Sequence, residues 1–271
     1  MLKIGILGVG AIGRTIATAL DCKPGEKQID AELVALSDQD HARAEALSSE
    51  LSTHPPVLSI DEMIERSELA VEAASQAALA EFAPKALARG RDMLIMSVGG
   101  LLGREEWFRH AGQKGCRIYV PSGAIAGLDG IKSASAGRID SAELTSRKPI
   151  AALKGSKYVL DRGIDLESFQ EDTVIFDGSA EEAARAFPAT SNVAASLRLA
   201  VDPSAPVRVR VVAVPGGSEN VHEIRVQGEF GKLTVKVENV PAKSNPRTSQ
   251  LAAFSAIATL KNLTRSLRVG T

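Results

Sequence analysis

The feature that most constrains this chain is a short apolar run that breaks into glycines: Leu2-Lys3-Ile4-Gly5-Ile6-Leu7, then Gly8-Val9-Gly10-Ala11-Ile12-Gly13. The spacing G-x-G-x-x-G, with a strand before it and a helical pattern from Arg14 to Leu20 after it, predicts a strand–turn–helix unit that binds a dinucleotide. Each glycine has a task. Gly8 permits the tight turn, Gly10 lets backbone approach a pyrophosphate, and Gly13 lets the helix pack closely on the sheet. The helix N-terminus then offers N–H groups and a positive dipole end to the phosphates. Gly8, Gly10, Ala11, Ile12 and Gly13 are therefore candidate cofactor-binding residues.

The next buried strand reads Ala31-Glu32-Leu33-Val34-Ala35-Leu36 and ends at Ser37-Asp38, after a polar segment from Asp21 to Asp30. A carboxylate placed there accepts hydrogen bonds from ribose hydroxyls and repels a 2′-phosphate. Asp40 adds negative charge, and no Arg follows Asp38 immediately. The expected cofactor is NAD, with NADP as the second possibility. Asp38 as a helix N-cap is the alternative reading.

Strand and helix patterns alternate through the first 122 residues, which predicts a doubly wound parallel sheet. Strands are expected at Glu68–Ala74, Asp92–Met96 and Cys116–Val120, and helices at Gln76–Arg89 and Arg104–Lys114. Ligands in such sheets bind beyond the carboxyl ends of the strands. Ala74, Ser75, Ser97 and Ala124 lie in loops leaving those ends and join the cofactor candidates, although turn chemistry explains each loop equally well. After Ala124 the pattern changes. A helix is expected at Ile125–Ala136, a strand at Ile139–Thr145, and an irregular, mobile segment over a cleft at Lys154–Asp172. Helices at Ala180–Ala186 and Ser191–Ala200 precede strands at Val207–Val214, Val221–Gly228 and Gly231–Glu238, the last two joined by a tight hairpin, and a long helix closes the chain at Thr248–Leu267.

Composition narrows the class. A formal charge of −1 gives no electrostatic reason to bind nucleic acid or an anionic membrane. Two cysteines, Cys22 and Cys116, lack CxxC spacing, and four scattered histidines lack ligand spacing, so no metal is expected. No apolar run is long enough to span a bilayer. The first residues form a strand with functional glycines rather than a cleavable signal. A cytoplasmic enzyme is expected.

One later segment carries chemistry. In the strand Asn220-Val221-His222-Glu223-Ile224-Arg225-Val226, alternation puts Asn220 and His222 on the face of Ile224 and Val226. A His and an Asn then stand at the end of a buried row, and imidazole suits proton transfer near neutrality. A hydrogen-bonded structural His is the competing reading.

The sequence resembles the L-aspartate dehydrogenase family. The resemblance rests on Gly8–Gly13, Val71-Glu72-Ala73-Ala74-Ser75, Met96-Ser97-Val98-Gly99 and Pro121–Asp129. It continues through Ser146-Arg147-Lys148-Pro149, Asn192-Val193-Ala194-Ala195, Asn220–Ile224 and Asn245-Pro246-Arg247-Thr248-Ser249. It implies an α/β fold with a Rossmann domain at residues 1–122 plus 245–271, to which the C-terminal helix returns. An α+β substrate and dimerisation domain at 123–244 lies between. It further implies a homodimer, catalysis at Asn220 and His222, and Asn192 in the cofactor set. The reaction implied is NAD(P)-dependent oxidation of L-aspartate to iminoaspartate, then oxaloacetate and ammonia, and the resemblance extends the expectation to a supply of iminoaspartate for NAD biosynthesis. Arg147 and Lys148 are candidates for the substrate carboxylates, against the solvated role usual for a charged pair at a strand end. Thr190 and Ser191 depart from the family pattern. They leave open a dehydrogenase or imine reductase for another amino acid, and a non-catalytic NAD-binding sensor remains a third reading.

Overall fold

The computed structural model describes residues 1–21, 29–188, 191–242 and 245–270, with backbone alone at 241–242 and 245–248. Cys22 and Thr190 therefore lie outside the described residues, as does most of the polar segment before β2. Two compact units result: Met1–Pro121 with Ala253–Val269, and Ser122–Ala252 with Gly270.

The first unit runs β1 (Leu2–Leu7), α1 (Ala11–Leu20), β2 (Ala31–Ser37), α2 (His41–Glu50), α3 (Ile60–Arg66), β3 (Leu69–Glu72), α4 (Gln76–Ala88), β4 (Asp92–Ile95), α5 (Glu105–Lys114) and β5 (Ile118–Tyr119). The strands form one parallel sheet in the order β2-β1-β3-β4-β5. A further parallel bridge, Val57 to Leu36, marks the edge beyond β2. Every residue of β3 is buried, as a central strand covered on both faces demands. Helix starts are marked chemically: Ser59 and Glu62 make a reciprocal capping box on α3, and the Ser75 hydroxyl accepts the Ala78 N–H at the start of α4. The helix α3 had no counterpart in the sequence reading, and α2 entered it only through the alternative role of Asp38 as an N-cap. The apolar signal of α2 is weak, with only Ala44, Leu47 and Ser48 buried.

The second unit runs α6 (Leu128–Ala134), β6 (Ile139–Pro149), α7 (Ile150–Leu153), α8 (Lys157–Asp161), β7 (Thr173–Ser179), α9 (Ala180–Ala186), α10 (Asn192–Ala200), β8 (Val207–Val214), β9 (Asn220–Gly228), β10 (Gly231–Asn239), β11 (Pro241–Ala242) and β12 (Asn245–Ser249). Five strands make a mixed sheet in the order β10-β9-β6-β8-β7. Strands β9 and β10 form the expected hairpin, Gly228 pairing with Gly231, whose φ of +112° suits a glycine. One face of the sheet carries Ala142, Leu144, Val209, Val211, Ile224 and Val226 into the core with α6, α9 and α10.

Three expectations change here. Strand β6 continues four residues past Thr145, to Pro149, because each of these residues pairs with β8. The segment 154–172 is anchored rather than mobile: Val159 and Leu166 are buried, and Tyr158 packs on Phe176 and Phe187. Residues 245–252, assigned from sequence to the first domain, group with the second because β12 pairs with β11. The last helix, α11 (Gln250–Thr264), buries Ala256 and Leu260, and its Thr264 hydroxyl accepts the Asp30 N–H in the first unit.

Candidate active site

In the first unit the glycine loop has the shape a pyrophosphate needs. Gly8 has φ +90°, and a Cβ there would lie 2.7 Å from the backbone of Ala73 and Ala74. A Cβ on Gly13 would lie 1.8 Å from the Gly8 carbonyl oxygen, so α1 can approach β1 only with glycine at this position. A Cβ on Gly10 would meet nothing within 4 Å, which leaves open space at the helix N-terminus. The N-cap residue is Gly10, which has no side chain to cap that terminus. Ala11 and Ile12 form the first turn of α1, half-buried.

At the end of β2, Asp38 Oδ2 accepts the Val9 N–H at 2.7 Å, and Oδ1 accepts the Asp40 N–H at 2.9 Å and the Arg43 Nη2 at 2.7 Å. Burial opposes ionisation of Asp38, but these N–H donors and the Arg43 guanidinium outweigh it and hold the carboxyl below its ordinary range. Asp40, not Asp38, caps α2 by accepting the Arg43 N–H. Sequence reading missed Arg43, because only the turn of α2 carries a residue five positions on back to Asp38. A cavity of about 830 Å³ opens at these strand ends, lined by residues including Gly8, Gly10, Asp38, Arg43, Ala74 and Ser75. The open cradle at Gly10, the uncapped helix terminus and the ionised Asp38 fit a dinucleotide.

Ser97 is placed differently from the other loop candidates. It is buried, and both its N–H and its hydroxyl point at the Glu72 carboxylate. In the second unit, the Ala124 carbonyl accepts the Asn239 Nδ2–H at 2.9 Å, and Asn192 opens α10. Ser191 is buried at the N-cap of that helix.

The second unit gathers four polar side chains on one face of its sheet. Ser146 on β6 stands directly opposite His222 on β9. Lys148 lies two residues along the same face from Ser146, as Asn220 does from His222. All four are buried, at 3% (Ser146), 6% (Lys148), 6% (Asn220) and 4% (His222) of full exposure. The row continues the apolar line of Leu144 and Ile224 with polar groups. Ser146 Oγ and His222 Nδ1 are hydrogen-bonded at 2.9 Å. Asn220 Oδ1 has no hydrogen-bond partner among the described residues. Lys148 makes no ion pair among them, and burial pushes its ammonium down to about 8. Burial, aided by the Lys148 charge, pushes His222 down to about 3. At that value its imidazole is neutral throughout the physiological range rather than half-titrated near pH 7.

Lys148 was one of two adjacent candidates. Extension of β6 to Pro149 places Arg147 on the opposite face, where its Nη1 pairs with Asp172 Oδ2 at 2.6 Å. Only Lys148 joins His222.

Comparison with known proteins agrees with both halves. Residues 129–263 match the family model described as aspartate dehydrogenase, C-terminal, and residues 8–121 match that of the homoserine dehydrogenase NAD-binding domain. The chain is 46% identical over 275 residues to an L-aspartate dehydrogenase of Methanosarcina mazei, covering 100% of each chain. It is 37% identical over 270 residues to one from Bradyrhizobium diazoefficiens, covering 100% of this chain and 94% of the relative. Among solved structures, an aspartate dehydrogenase from Thermotoga maritima superposes with a TM-score of 0.73 at 26% identity, covering 100% of both chains. Among the described residues, no helix is long and apolar enough to cross a membrane.

Proposed function

The chain belongs to the L-aspartate dehydrogenase family, an oxidoreductase with an NAD-binding domain, and we propose that it oxidises the amino-bearing Cα of L-aspartate. The observation that carries this reading is the buried row Ser146, Lys148, Asn220 and His222, in which, among the described residues, a cation lacks an anion and an amide oxygen lacks a donor. A dicarboxylate bearing an amine supplies both.

Bound nicotinamide dinucleotide would accept a hydride from Cα. The protein's residues do the rest. The Lys148 ammonium pairs with a substrate carboxylate, and Asn220 Oδ1 accepts a hydrogen bond from the substrate nitrogen. Neutral His222 takes the proton that the nitrogen loses as the C=N bond forms and releases it to solvent; it then takes one from the water that adds to the imine and returns it to the nitrogen that departs as ammonia. Ser146 orients the ring through Nδ1. An anionic substrate beside His222 favours the imidazolium and raises its pKa from the low value of the ligand-free site. Asp38 meets the adenosine ribose, which favours NAD, while Arg43 beside it offers a cation to the 2′-phosphate of NADP.

The same reading extends to a homodimer acting in the cytoplasm, with iminoaspartate available to pyridine-nucleotide biosynthesis. The test mixes the protein with NADH, oxaloacetate and ammonium and follows NADH absorbance. Ammonium-dependent oxidation is expected, with aspartate preferred to glutamate in the reverse direction. Oxidation that ignores ammonium, or a preference for glutamate or an uncharged amino acid, would overturn the assignment.

A further inference from the structure

The carboxylate of Glu72 is fully buried and, among the described residues, has no cation beside it. It closes β3, level with Leu7 on β1 and Ile95 on β4. Its Oε1 accepts the Ala74 N–H and the Ser97 hydroxyl, each at 2.8 Å, and its Oε2 accepts the Ser97 N–H at 3.0 Å. One carboxylate thus clamps the loop after β3 to the loop after β4. Burial drives its pKa upward despite these donors, so the protein carries a cost here that an apolar residue would not impose.

What the clamp holds follows from strand order. The adenosine ribose belongs at Asp38, at the end of β2, and the pyrophosphate at the glycine loop after β1. The order β2-β1-β3-β4 leaves the other half of a dinucleotide to the ends of β3 and β4. The loop after β3 is also pressed against the turn, since a Cβ on Gly8 would strike Ala73 and Ala74. We propose that Glu72 is a positioning residue that joins the loops at Ala74 and Ser97 into the rigid seat of the nicotinamide riboside. A carboxylate is required because all three partners donate, and a carboxylate only accepts. Glutamine in its place would turn an NH₂ group toward a donor and break the clamp on one side.

The inference rests on dinucleotide binding and not on aspartate as substrate, so its test omits the substrate. NADH and ADP binding are measured by calorimetry for the parent, Glu72→Gln and Ser97→Ala. ADP carries the adenosine and pyrophosphate but lacks the nicotinamide riboside. Glu72→Gln is expected to weaken NADH about tenfold, from a lost hydrogen bond to a charged group, and to leave ADP within about threefold. Ser97→Ala, which removes one donor and leaves both backbone N–H bonds, is expected to show the same selectivity at smaller size. Equal losses for the two ligands, or no loss for either, would overturn the proposal. Should Glu72→Gln not fold, Ser97→Ala decides by the same ratio.

Discussion

Each unit of this protein buries a polar cluster, and the two differ in how fully their hydrogen bonds are made. Around Glu72 three donors meet two carboxylate oxygens. Around His222, among the described residues, the lysine has no anion and Asn220 Oδ1 has no donor. A buried polar group left unpaired costs on the order of 1–3 kcal/mol, so it persists where something outside the chain completes it. Satisfied polarity holds loops in place; unsatisfied polarity awaits a ligand. The contrast separates positioning from reaction, and it can be broken.

The largest effect is expected at His222. His222→Ala should lower kcat by about 10²–10⁴-fold, the usual contribution of a positioned base. NADH affinity, measured by fluorescence titration, should stay within about twofold, because the cofactor cradle belongs to the other unit. Unchanged turnover would mean that the unsatisfied cluster is only a badly packed core.

Lys148→Met should act in opposite directions on function and stability. With the cation gone, kcat/KM for aspartate should fall by about 10²-fold, chiefly through KM. Stability should rise. The unfolded chain holds this proton up to about pH 10.5 and the folded chain only to about pH 8. Between those values the unfolded state binds more protons, so the parent gains stability as pH rises from 8 to 10.5. Below pH 8 the folded state bears the whole cost, at most about 3 kcal/mol at about 1.4 kcal/mol per pH unit of displacement. The variant should therefore melt above the parent at pH 7, with the difference shrinking to nothing by pH 10.5. A variant less stable than the parent at pH 7 would show that Lys148 is already paired, and the distinction between the clusters would fail.

The two clusters were unequally legible in the sequence. The glycine loop could be read because its function is local. Turn, backbone approach and helix packing fall within six residues, and Asp38 follows at a known distance. Asn220 and His222 could be placed on one face because alternation along a strand needs no partner strand. Ser146 and Lys148 could not be joined to them, since that depends on the register between β6 and β9 across 76 residues of sequence. A charged Arg-Lys-Pro also reads as the end of a strand, and only pairing with β8 carries β6 through it. Glu72 stood in a quoted motif without a role, because its partner Ser97 is 25 residues away. Arg43 was not legible for a simpler reason: one helical turn brings it back to Asp38, and nothing at the position directly after Asp38 signals it.

The smallest expected effect sharpens the comparison most economically. Arg147 and Lys148 are neighbours in sequence and carry the same charge, yet strand geometry sends them to opposite faces. The Arg147 side chain retains 43% of its exposure and pairs with Asp172, itself 47% exposed. Such a pair is screened by water and contributes about 0–1 kcal/mol. Arg147→Ala should leave kcat/KM for aspartate within about twofold and lower Tm by no more than about 3 °C. Measured beside Lys148→Met, it removes the same formal charge from an adjacent position. Charge in the neighbourhood therefore cannot explain a difference between the two, and the face of the strand can. If Arg147→Ala instead abolished aspartate turnover while Lys148→Met spared it, the substrate carboxylate would lie on the other face of the sheet, and the row around His222 would lose its claim to the chemistry.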